Sequence, residues 1–259
     1  MATSISPLAF VHPDAKIADN VQIGPFAYIA NDVEIGEGTV IDPNATVCEH
    51  TRIGKNCHVF PSAVVGAIPQ DLKFQGELTY TYIGDNVVLR ECSTVHRGTA
   101  SKGKTVVGNN NLIMAYCHVA HDCVVGNHII MSNAVQLAGE VVVEDYAIIG
   151  GGSLVHQFTH IGGHVMIQGG SHVNKDVPPY VMAGREPISF FGINSVGLTR
   201  RGFTAEQMAT IQEVYRYVYL SKLNVSQAVA KIEEEMVSSP ERDMILDFIK
   251  TSPRGIIRG

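Results

Sequence analysis

The sequence predicts an all-β solenoid, a parallel β-helix of hexapeptide repeats, with a helical region after it. The main observation is a period of six. From Val11 to Val173, every sixth residue is aliphatic or Met at 25 of 28 positions, whereas an apolar content of 45% predicts about 13. Helices repeat every 3.6 residues and ordinary strands every two. A fixed period of six therefore indicates short strands stacked in successive coils.

The columns beside the aliphatic position support this interpretation. Gly or Ala often follows the aliphatic residue, as at Gly24 and Gly54, where we expect a tight corner. Small residues lie two positions before it, and they include Cys57, Cys117 and Cys123. We predict that these three thiols fill the core and are not nucleophiles. Three hexads would close one coil, with neighbouring coils ~4.8 Å apart.

Two excursions interrupt the repeat. The aliphatic phase breaks at Asp71, Glu77 and Ser101. These breaks fall in two polar segments, about 67–80 and 98–105, which we expect to project as loops. Insertions in a solenoid commonly lie on its functional face, so both loops are expected to border a site.

After Asn174 the period of six stops, and the sequence predicts two regions. Residues 1–177 form the β-helix, and residues 178–259 form a C-terminal region that is mainly helical from residue 204. We expect these helices to cover the open end of the coil, where unpaired backbone would otherwise invite aggregation. Three helix starts carry the residues typical of an N-cap: Thr204 with Gln207, Asn224 with Gln227, and Ser239 before Pro240.

Composition narrows the classes of function. A net charge of −6 argues against a protein that binds nucleic acid through bulk charge. No apolar run approaches the ~20 residues of a transmembrane segment, and the first residues lack the pattern of a secretory signal. The five cysteines include no CxxC pair, which favours reduced thiols and a cytoplasmic location.

The segment AYCHVAHDCVVGNH, residues 115–128, places polar side chains in a stretch patterned for packing. With three hexads per coil, His121 lies next to Gly139, and Asp122 lies next to Glu140. A histidine beside the backbone N–H of a glycine suits acyl transfer, because the imidazole removes a hydroxyl proton while the N–H stabilises an oxyanion. Asp122 would raise the basicity of His121 or set its tautomer.

From the residues alone, two other interpretations of the histidines stay open. A histidine at a surface turn is often only solvated, as in a non-catalytic scaffold. A metal site is the second alternative, but the histidines lack a diagnostic zinc spacing with carboxylates or cysteines, and we expect no metal. The histidines considered are His118, His121, His156, His160 and His164.

Phrases along almost the whole chain resemble the UDP-N-acetylglucosamine O-acyltransferases that begin lipid A biosynthesis, a family of hexapeptide-repeat acyltransferases. This resemblance implies a left-handed coil, a homotrimer with its sites between subunits, and no cofactor. The period of six by itself does not give the handedness. The phrases are IPQDLKFQGE (68–77), VHRGT (95–99), HVAHDCVVGN (118–127), LAGEV (137–141), IIGGGSLVHQF (148–158), DVPPYV (176–181), FGINSVGLTRRGF (191–203) and RGIIR (254–258).

The resemblance also implies roles for single residues. His121 would be the general base for the glucosamine 3-hydroxyl, Asp122 its acidic neighbour, and Gly139 the residue whose N–H faces the thioester oxygen. Gly169 would limit the length of the acyl chain. The implied substrate-binding residues are Asp71 and Lys73 on the first loop, His118, His156 and Gln157 at the nucleotide sugar, and Asn194, Arg200 and Arg201 at the uridine and diphosphate.

The implied reaction moves an R-3-hydroxyacyl chain from acyl carrier protein to UDP-N-acetylglucosamine. A 3-amino sugar acceptor and a β-helix metalloenzyme of the γ-carbonic-anhydrase type are the alternatives. The sequence leaves open the acyl-chain length and the basic residues that dock the carrier. The chain departs from the family at Glu140, where relatives often carry His, at Val196, where an acidic residue is common, and at Pro187. Glu140 would repel Asp122 unless a cation lies between them.

Overall fold

The computed structural model describes residues 2–259 and confirms the β-helix: short strands alternate among three parallel sheets, here called faces A, B and C. Face A contains β1 (Ser4–Ile5), β4 (Gln22–Ile23), β7 (Val40–Ile41), β10 (His58–Val59), β13 (Val88–Leu89), β16 (Leu112–Ile113), β19 (Ile130–Met131), β22 (Ile148–Ile149) and β25 (Met166–Ile167). Face B contains β2 (Phe10–Val11), β5 (Tyr28–Ile29), β8 (Thr46–Val47), β11 (Val64–Ala67), β14 (Thr94–His96), β17 (His118–Val119), β20 (Gln136–Leu137), β23 (Leu154–Val155) and β26 (His172–Val173). Face C contains β3 (Lys16–Ile17), β6 (Glu34–Ile35), β9 (Thr51–Ile53), β12 (Tyr80–Ile83), β15 (Lys104–Val107), β18 (Val124–Val125), β21 (Val142–Val143) and β24 (His160–Ile161).

The strand register confirms a coil of three hexads, since His118 pairs with Gln136. Two coils are longer because loops leave them. His58 pairs with Val88, five hexads on, and Val88 pairs with Leu112, four hexads on. Each loop therefore adds whole hexads to its coil, two in the first case and one in the second. The aliphatic phase continues unchanged after each loop for this reason.

The aliphatic column fills the interior of the coil. Ile113 and Val119 have no exposed surface, and Cys57, Cys117 and Cys123 are buried as predicted. Burial raises the pKa of the Cys117 thiol to about 11 and that of the Cys123 thiol to about 12. Because the thiolate is the reactive form of cysteine, these side chains are packing residues.

The glycines after the aliphatic column serve a purpose different from the predicted one. A Cβ atom on Gly36 would lie 2.6 Å from the carbonyl oxygen of Gly54, one coil along. These glycines thus allow stacked coils to approach closely. The positive φ angle that turns the corner falls two residues later and is adopted by side-chain-bearing residues such as Asn44, Asp122 (φ 61°) and Glu140 (φ 60°).

The chain then leaves the regular coil. The strand β27 (Val181–Gly184) joins face A and pairs antiparallel with β28 (Ser189–Ile193). The sequence pattern did not predict this hairpin. The helices that follow are α1 (Ser195–Arg200), α2 (Ala205–Tyr215) with a π-helical turn at Arg216–Leu220, α3 (Val225–Glu235) and α4 (Pro240–Lys250). The predicted N-caps are confirmed, because the side chains of Thr204, Asn224 and Ser239 accept hydrogen bonds from the first turns of α2, α3 and α4.

These helices cover the end of the coil. The buried Tyr215 of α2 donates its hydroxyl to the carbonyl oxygen of Pro179 (2.5 Å). The ring of Phe248 in α4 packs against that of His160, with centroids 4.5 Å apart. The C-terminal segment returns to pair Ile256 with Asp176. Within residues 2–259, no helix combines the length and apolarity needed to cross a membrane.

Candidate active site

Both loops leave the coil at the corner that carries His121. The first loop, residues 68–79, connects β11 on face B with β12 on face C, and the second loop, residues 97–103, connects β14 with β15 on the same faces. His121 lies in the turn between β17 and β18, which also passes from face B to face C. This edge, here called the B–C corner, therefore gathers both insertions around one histidine.

His121 and Asp122 form a hydrogen-bonded pair at the B–C corner. Nδ1 of His121 lies 2.9 Å from Oδ2 of Asp122. Because an ionised carboxylate only accepts hydrogen bonds, Nδ1 carries the proton and Nε2 keeps its lone pair. The side chain of Asp122 is fully buried, whereas that of His121 is 21% exposed. The buried carboxylate thus holds one side of the ring, and within residues 2–259 Nε2 of His121 has no hydrogen-bond partner.

The second loop holds the buried carboxylate. The backbone N–H groups of Thr99 and Lys102 donate to Oδ1 of Asp122 at 2.9 and 3.2 Å, and the Thr99 hydroxyl donates to Oδ2 at 2.6 Å. The backbone N–H of Asp122 donates to Oγ1 of Thr105 at 2.8 Å. A buried carboxylate is stable only when its oxygens are hydrogen-bonded, and both oxygens of Asp122 are.

Gly139 stacks on His121, one coil along, as the coil length predicts. A Cβ atom on Gly139 would lie 2.5 Å from Cε1 and 2.6 Å from Nε2 of the imidazole. Any larger residue would displace the ring. Within residues 2–259, the N–H of Gly139 donates no hydrogen bond. A buried N–H without a partner therefore belongs to the residue that stacks on the imidazole, an arrangement that suits acyl transfer.

A cation lies between the Glu140 carboxylate and the backbone of Asp122. Nζ of Lys102 lies 3.8 Å from Oε2 of Glu140 and donates to the carbonyl oxygen of Asp122 at 3.4 Å. The Ser101 hydroxyl donates to Oε1 of Glu140 at 3.1 Å. The second loop thus offsets the repulsion expected between Asp122 and Glu140. Glu140 in turn anchors this loop to the next coil.

Two further histidines lie on face B beside His121. His118 shares a hydrogen bond of 2.7 Å between Nδ1 and the Thr94 hydroxyl, and its ring meets the buried His96 ring edge-on with centroids 4.6 Å apart. Burial lowers the pKa of His118, and the nearby His121 adds to this effect. Burial likewise lowers the pKa of His96 to about 4, with His118 and His121 contributing. His96 and His118 are therefore neutral at physiological pH.

The other candidates at this corner are more open to solvent. His156 and Gln157 are exposed in the coil beyond Gly139, and Nδ1 of His156 lies 3.1 Å from the carbonyl oxygen of Gln157. Asp71 and the exposed Lys73 lie on the first loop, where Oδ1 of Asp71 accepts the N–H of Lys73 at 3.0 Å. The structure thus brings these four residues to the edge that carries His121.

Three candidates lie at another corner of the same chain. Asn194 is buried and donates its side-chain N–H to the carbonyl oxygen of His164 at 2.9 Å. Arg201 donates to the carbonyl oxygen of Tyr146 at 3.0 Å and covers the Tyr146 ring at 5.4 Å, while Arg200 is exposed. Burial lowers the pKa of Arg201. His164 and Tyr146 occupy turns from face C to face A, so this group lies along the C–A corner.

Gly169 lies at the third corner. It is exposed in the turn between β25 on face A and β26 on face B, and a Cβ atom there would lie 3.0 Å from the carbonyl oxygen of Gly151. Of the departures from the family, Val196 is exposed in α1 and Pro187 lies in the turn between β27 and β28. One chain therefore distributes the predicted site residues over all three corners.

The sequence reasoning missed the residues that organise the B–C corner. Thr99 and His96 lie within the phrase VHRGT, but the phrase gave neither of them a role. Ser101 was visible only as a break in the repeat. Lys102 gave no signal, because its contacts depend on how the second loop folds back. The two loops are also linked to each other, since Glu77 of the first loop accepts the backbone N–H of Ala100 of the second loop at 3.0 Å.

The side chains that commonly bind metals are spread out. Within residues 2–259, no three His, Cys, Asp or Glu side chains come together in a group that could hold a metal ion. The five cysteines are all free thiols.

Comparisons with known proteins place the chain in one family. Residues 176–257 match the family model described as UDP N-acetylglucosamine O-acyltransferase, domain 2, and residues 14–49 and 32–67 match the bacterial transferase hexapeptide model. An acyl-[acyl-carrier-protein]–UDP-N-acetylglucosamine O-acyltransferase of Pseudomonas syringae is 49% identical over 98% of this chain and 99% of its own length. A relative with the same name from Thiobacillus denitrificans is 49% identical over the full length of both chains.

Solved structures of UDP-N-acetylglucosamine acyltransferases support the same assignment. A UDP-N-acetylglucosamine acyltransferase from Bacteroides fragilis superposes with a TM-score of 0.96 at 53% identity and covers 98% of this chain and 100% of its own. The Francisella novicida enzyme superposes with a TM-score of 0.96 at 44% identity, covering 98% and 94% of the two chains. The left-handed parallel β-helix is thereby confirmed. The chain belongs to the UDP-N-acetylglucosamine O-acyltransferase family.

Proposed function

We propose that the protein transfers an R-3-hydroxyacyl chain from acyl carrier protein to the 3-hydroxyl of UDP-N-acetylglucosamine, the first step of lipid A biosynthesis. Relatives of full length at 49% identity carry the name of this activity. The single observation that supports it in this chain is the His121–Asp122 pair stacked on Gly139. A base, its buried carboxylate and a free N–H donor are the groups that thioester-to-hydroxyl transfer needs.

The reaction follows from this geometry. Nε2 of His121 removes the proton of the 3-hydroxyl as the oxygen attacks the thioester carbonyl. The N–H of Gly139 donates to the oxyanion of the tetrahedral intermediate. The intermediate collapses, the C–S bond breaks, and the imidazolium returns its proton to the thiolate of the carrier. Asp122 holds the ring in the required tautomer and stabilises its positive charge in between.

The remaining candidates would bind the two substrates. His118, which is neutral, suits hydrogen bonds to sugar hydroxyls, and the exposed His156 and Gln157 extend the polar surface along the corner. Asp71 and Lys73 would contact the sugar and the phosphopantetheine arm from the first loop. Asn194, Arg200 and Arg201 would hold the uridine and diphosphate, for which guanidinium groups are suited. Gly169 would leave room for the end of the acyl chain.

A homotrimer with its sites between subunits would unite these residues. The base lies on the B–C corner, whereas Asn194 and Arg201 lie on the C–A corner. These are different edges of one prism, so a single chain does not place the two groups in one site. A three-fold arrangement of prisms sets a different corner of each neighbour against the B–C corner. The free cysteines and a carrier-protein substrate support a cytoplasmic location.

Mass spectrometry of the product tests the proposal. Purified protein, UDP-N-acetylglucosamine and a mixture of 3-hydroxyacyl carrier proteins should give a single acyl addition at the sugar 3-oxygen. The variant His121→Ala should have a kcat that is lower by a factor of roughly 10²–10⁴, the usual contribution of a general base, while its circular dichroism spectrum stays unchanged. A parallel assay with the 3-amino nucleotide sugar identifies the preferred acceptor. More than a tenth of wild-type activity in the His121→Ala variant would remove His121 from the mechanism.

A further inference from the structure

The carboxylate of Asp122 accepts a side-chain hydrogen bond from a residue outside its own coil. Thr99 lies on the second loop, earlier in the chain, and is itself buried. Its hydroxyl donates to Oδ2 of Asp122 at 2.6 Å, and this is the oxygen that also accepts Nδ1–H of His121 at 2.9 Å. The loop therefore acts on the atom that orients the base.

We propose that Thr99 is a positioning residue for acyl transfer: its hydroxyl fixes the plane of the Asp122 carboxylate and, through it, the tautomer and orientation of the His121 ring. This inference rests on the proposed role of His121 as the base. Thr99 is called a positioning residue because its hydroxyl is occupied by Asp122 and acts on substrate only through His121.

The two oxygens of Asp122 are held in different ways. Oδ1 accepts two backbone N–H groups, those of Thr99 and Lys102, which no side-chain substitution removes. Oδ2 has the Thr99 hydroxyl and the His121 ring as partners. Without the hydroxyl, Oδ2 would depend on the ring alone, and the carboxylate would be free to rotate about its anchored oxygen.

The substitution Thr99→Val makes this dependence measurable. Valine keeps the branched shape of threonine, but it places a methyl group against a buried, ionised oxygen. A charged oxygen in apolar contact is unfavourable, so the carboxylate would turn away from the methyl group and lose its alignment with Nδ1. The ring would then sample the tautomer that carries its proton on Nε2, and that tautomer lacks the lone pair needed for catalysis.

The other contacts of the second loop do not replace this hydroxyl. Removal of the Thr99 hydroxyl also removes an acceptor for the backbone N–H of Ser101 (3.2 Å). The loop stays attached to the body through Ser101 and Lys102, which bind Glu140, and to the first loop through Ala100, which donates to Glu77. The expected defect is therefore in the chemical step and not in folding or in substrate binding.

The test combines steady-state kinetics with a direct measurement of the ring. Thr99→Val should lower kcat by roughly ten- to a hundredfold, the contribution of a hydrogen bond to a charged group, with less than a twofold change in KM for UDP-N-acetylglucosamine. Thr99→Ser keeps the hydroxyl and should retain at least half of the wild-type kcat. The matched control is Thr81→Val, because Thr81 is also buried and its hydroxyl has no partner within residues 2–259.

Nitrogen-15 shifts of selectively labelled histidine report the tautomer without any turnover. Wild type and Thr99→Ser should show His121 protonated at Nδ1, and Thr99→Val should show a raised share of the Nε2-protonated form. Unchanged ring shifts in Thr99→Val, or a variant that keeps more than half of the wild-type kcat, would overturn the proposal. Failure of the proposed function has a separate signature, since wild-type protein would then form no acylated UDP-N-acetylglucosamine. Failure of the proposed role of His121 would leave His121→Ala active, whatever the ring of the Thr99→Val variant shows.

Discussion

At the scale of single residues, the site depends on an absent side chain as much as on the imidazole. Gly139 leaves the space in which the His121 ring lies, because a Cβ atom would come within 2.5 Å of Cε1. Gly139 itself is buried, and within residues 2–259 its N–H donates no hydrogen bond. In the proposed mechanism, one position of the repeat therefore supplies both the room for the base and the donor for the oxyanion.

We predict that Gly139→Ala abolishes most activity without unfolding the coil. The added methyl group must push the His121 ring aside, and a displacement of about 1 Å at a reacting group costs roughly a hundredfold in rate. The expected result is a fall in kcat of that order, measured by steady-state kinetics, with an unchanged melting temperature.

The control is Gly163→Ala, at the same position of the hexad on another corner. Its added Cβ would lie 3.3 Å from the nearest atom, the carbonyl oxygen of Asp145, and would meet no catalytic group. If both alanine variants lost activity equally, a general effect of alanine on the turn would explain the result better than displacement of His121.

Much of this residue-level arrangement was predictable from the sequence, but not all of it. Stacking of His121 on Gly139 follows from arithmetic, because a coil of fixed length places each residue beside the one three hexads later. The contacts of Thr99 and Lys102 follow no such rule. They arise where the second loop leaves the repeat, and the path of a loop depends on tertiary contacts that periodicity does not encode.

At the scale of elements, the two-residue strands in the body of the coil have one inward and one outward side chain. In β8, Val47 is fully buried and Thr46 is partly exposed. Period six predicted these inward positions throughout the coil, since both loops add whole hexads and keep the phase. Periodicity did not predict the β27–β28 hairpin, because it follows the last repeat and pairs antiparallel.

We predict that Val47→Asp prevents folding whereas Thr46→Asp is tolerated. An unpaired carboxylate in the interior costs several kcal/mol, while an outward carboxylate stays hydrated. Soluble yield and circular dichroism of the two variants measure the difference. Equal tolerance of aspartate at both positions would contradict the assignment of the inward column.

The buried histidine of β14 predicts a dependence of stability on pH. The pKa of His96 is lowered to about 4, chiefly by burial, from its ordinary value of 6.5. Between these values the unfolded chain binds a proton that the folded chain does not, so stability falls as pH decreases from about 6.5 to 4 and is fully present above that window. At pH 5 we expect a loss of roughly 2 kcal/mol from this group.

Urea unfolding at pH 7.5 and pH 5 measures this loss. His96→Gln removes the titrating group and should reduce the difference between the two pH values. The control is His172→Gln, which replaces an exposed histidine and should leave the difference as in wild type. An identical pH effect in wild type and His96→Gln would assign the instability to other groups.

At the scale of the whole molecule, the distribution of residues over corners has a consequence for assembly. His121 at the B–C corner and the diphosphate-binding candidates at the C–A corner belong to different edges of one prism. With the proposed roles of these residues, a complete site needs two chains. Each chain would contribute one corner to one site and a different corner to the next, as cyclic symmetry requires.

This arrangement predicts that two defective variants restore each other's activity. One variant carries His121→Ala, and the other carries Arg200→Ala with Arg201→Ala; each should be nearly inactive at low UDP-N-acetylglucosamine. Co-expressed with different tags and purified through both, the mixed trimers hold two chains of one kind and one of the other. Around such a ring, one interface of three joins an intact His121 to an intact arginine pair, so activity should return to about one third of wild type.

Mixing His121→Ala with Asp122→Asn provides the control, because every B–C corner is then defective and no activity should return. If the first mixture stayed as inactive as its components, the arginine pair and the base would have to act within one chain, and the proposed placement of the site between subunits would be wrong.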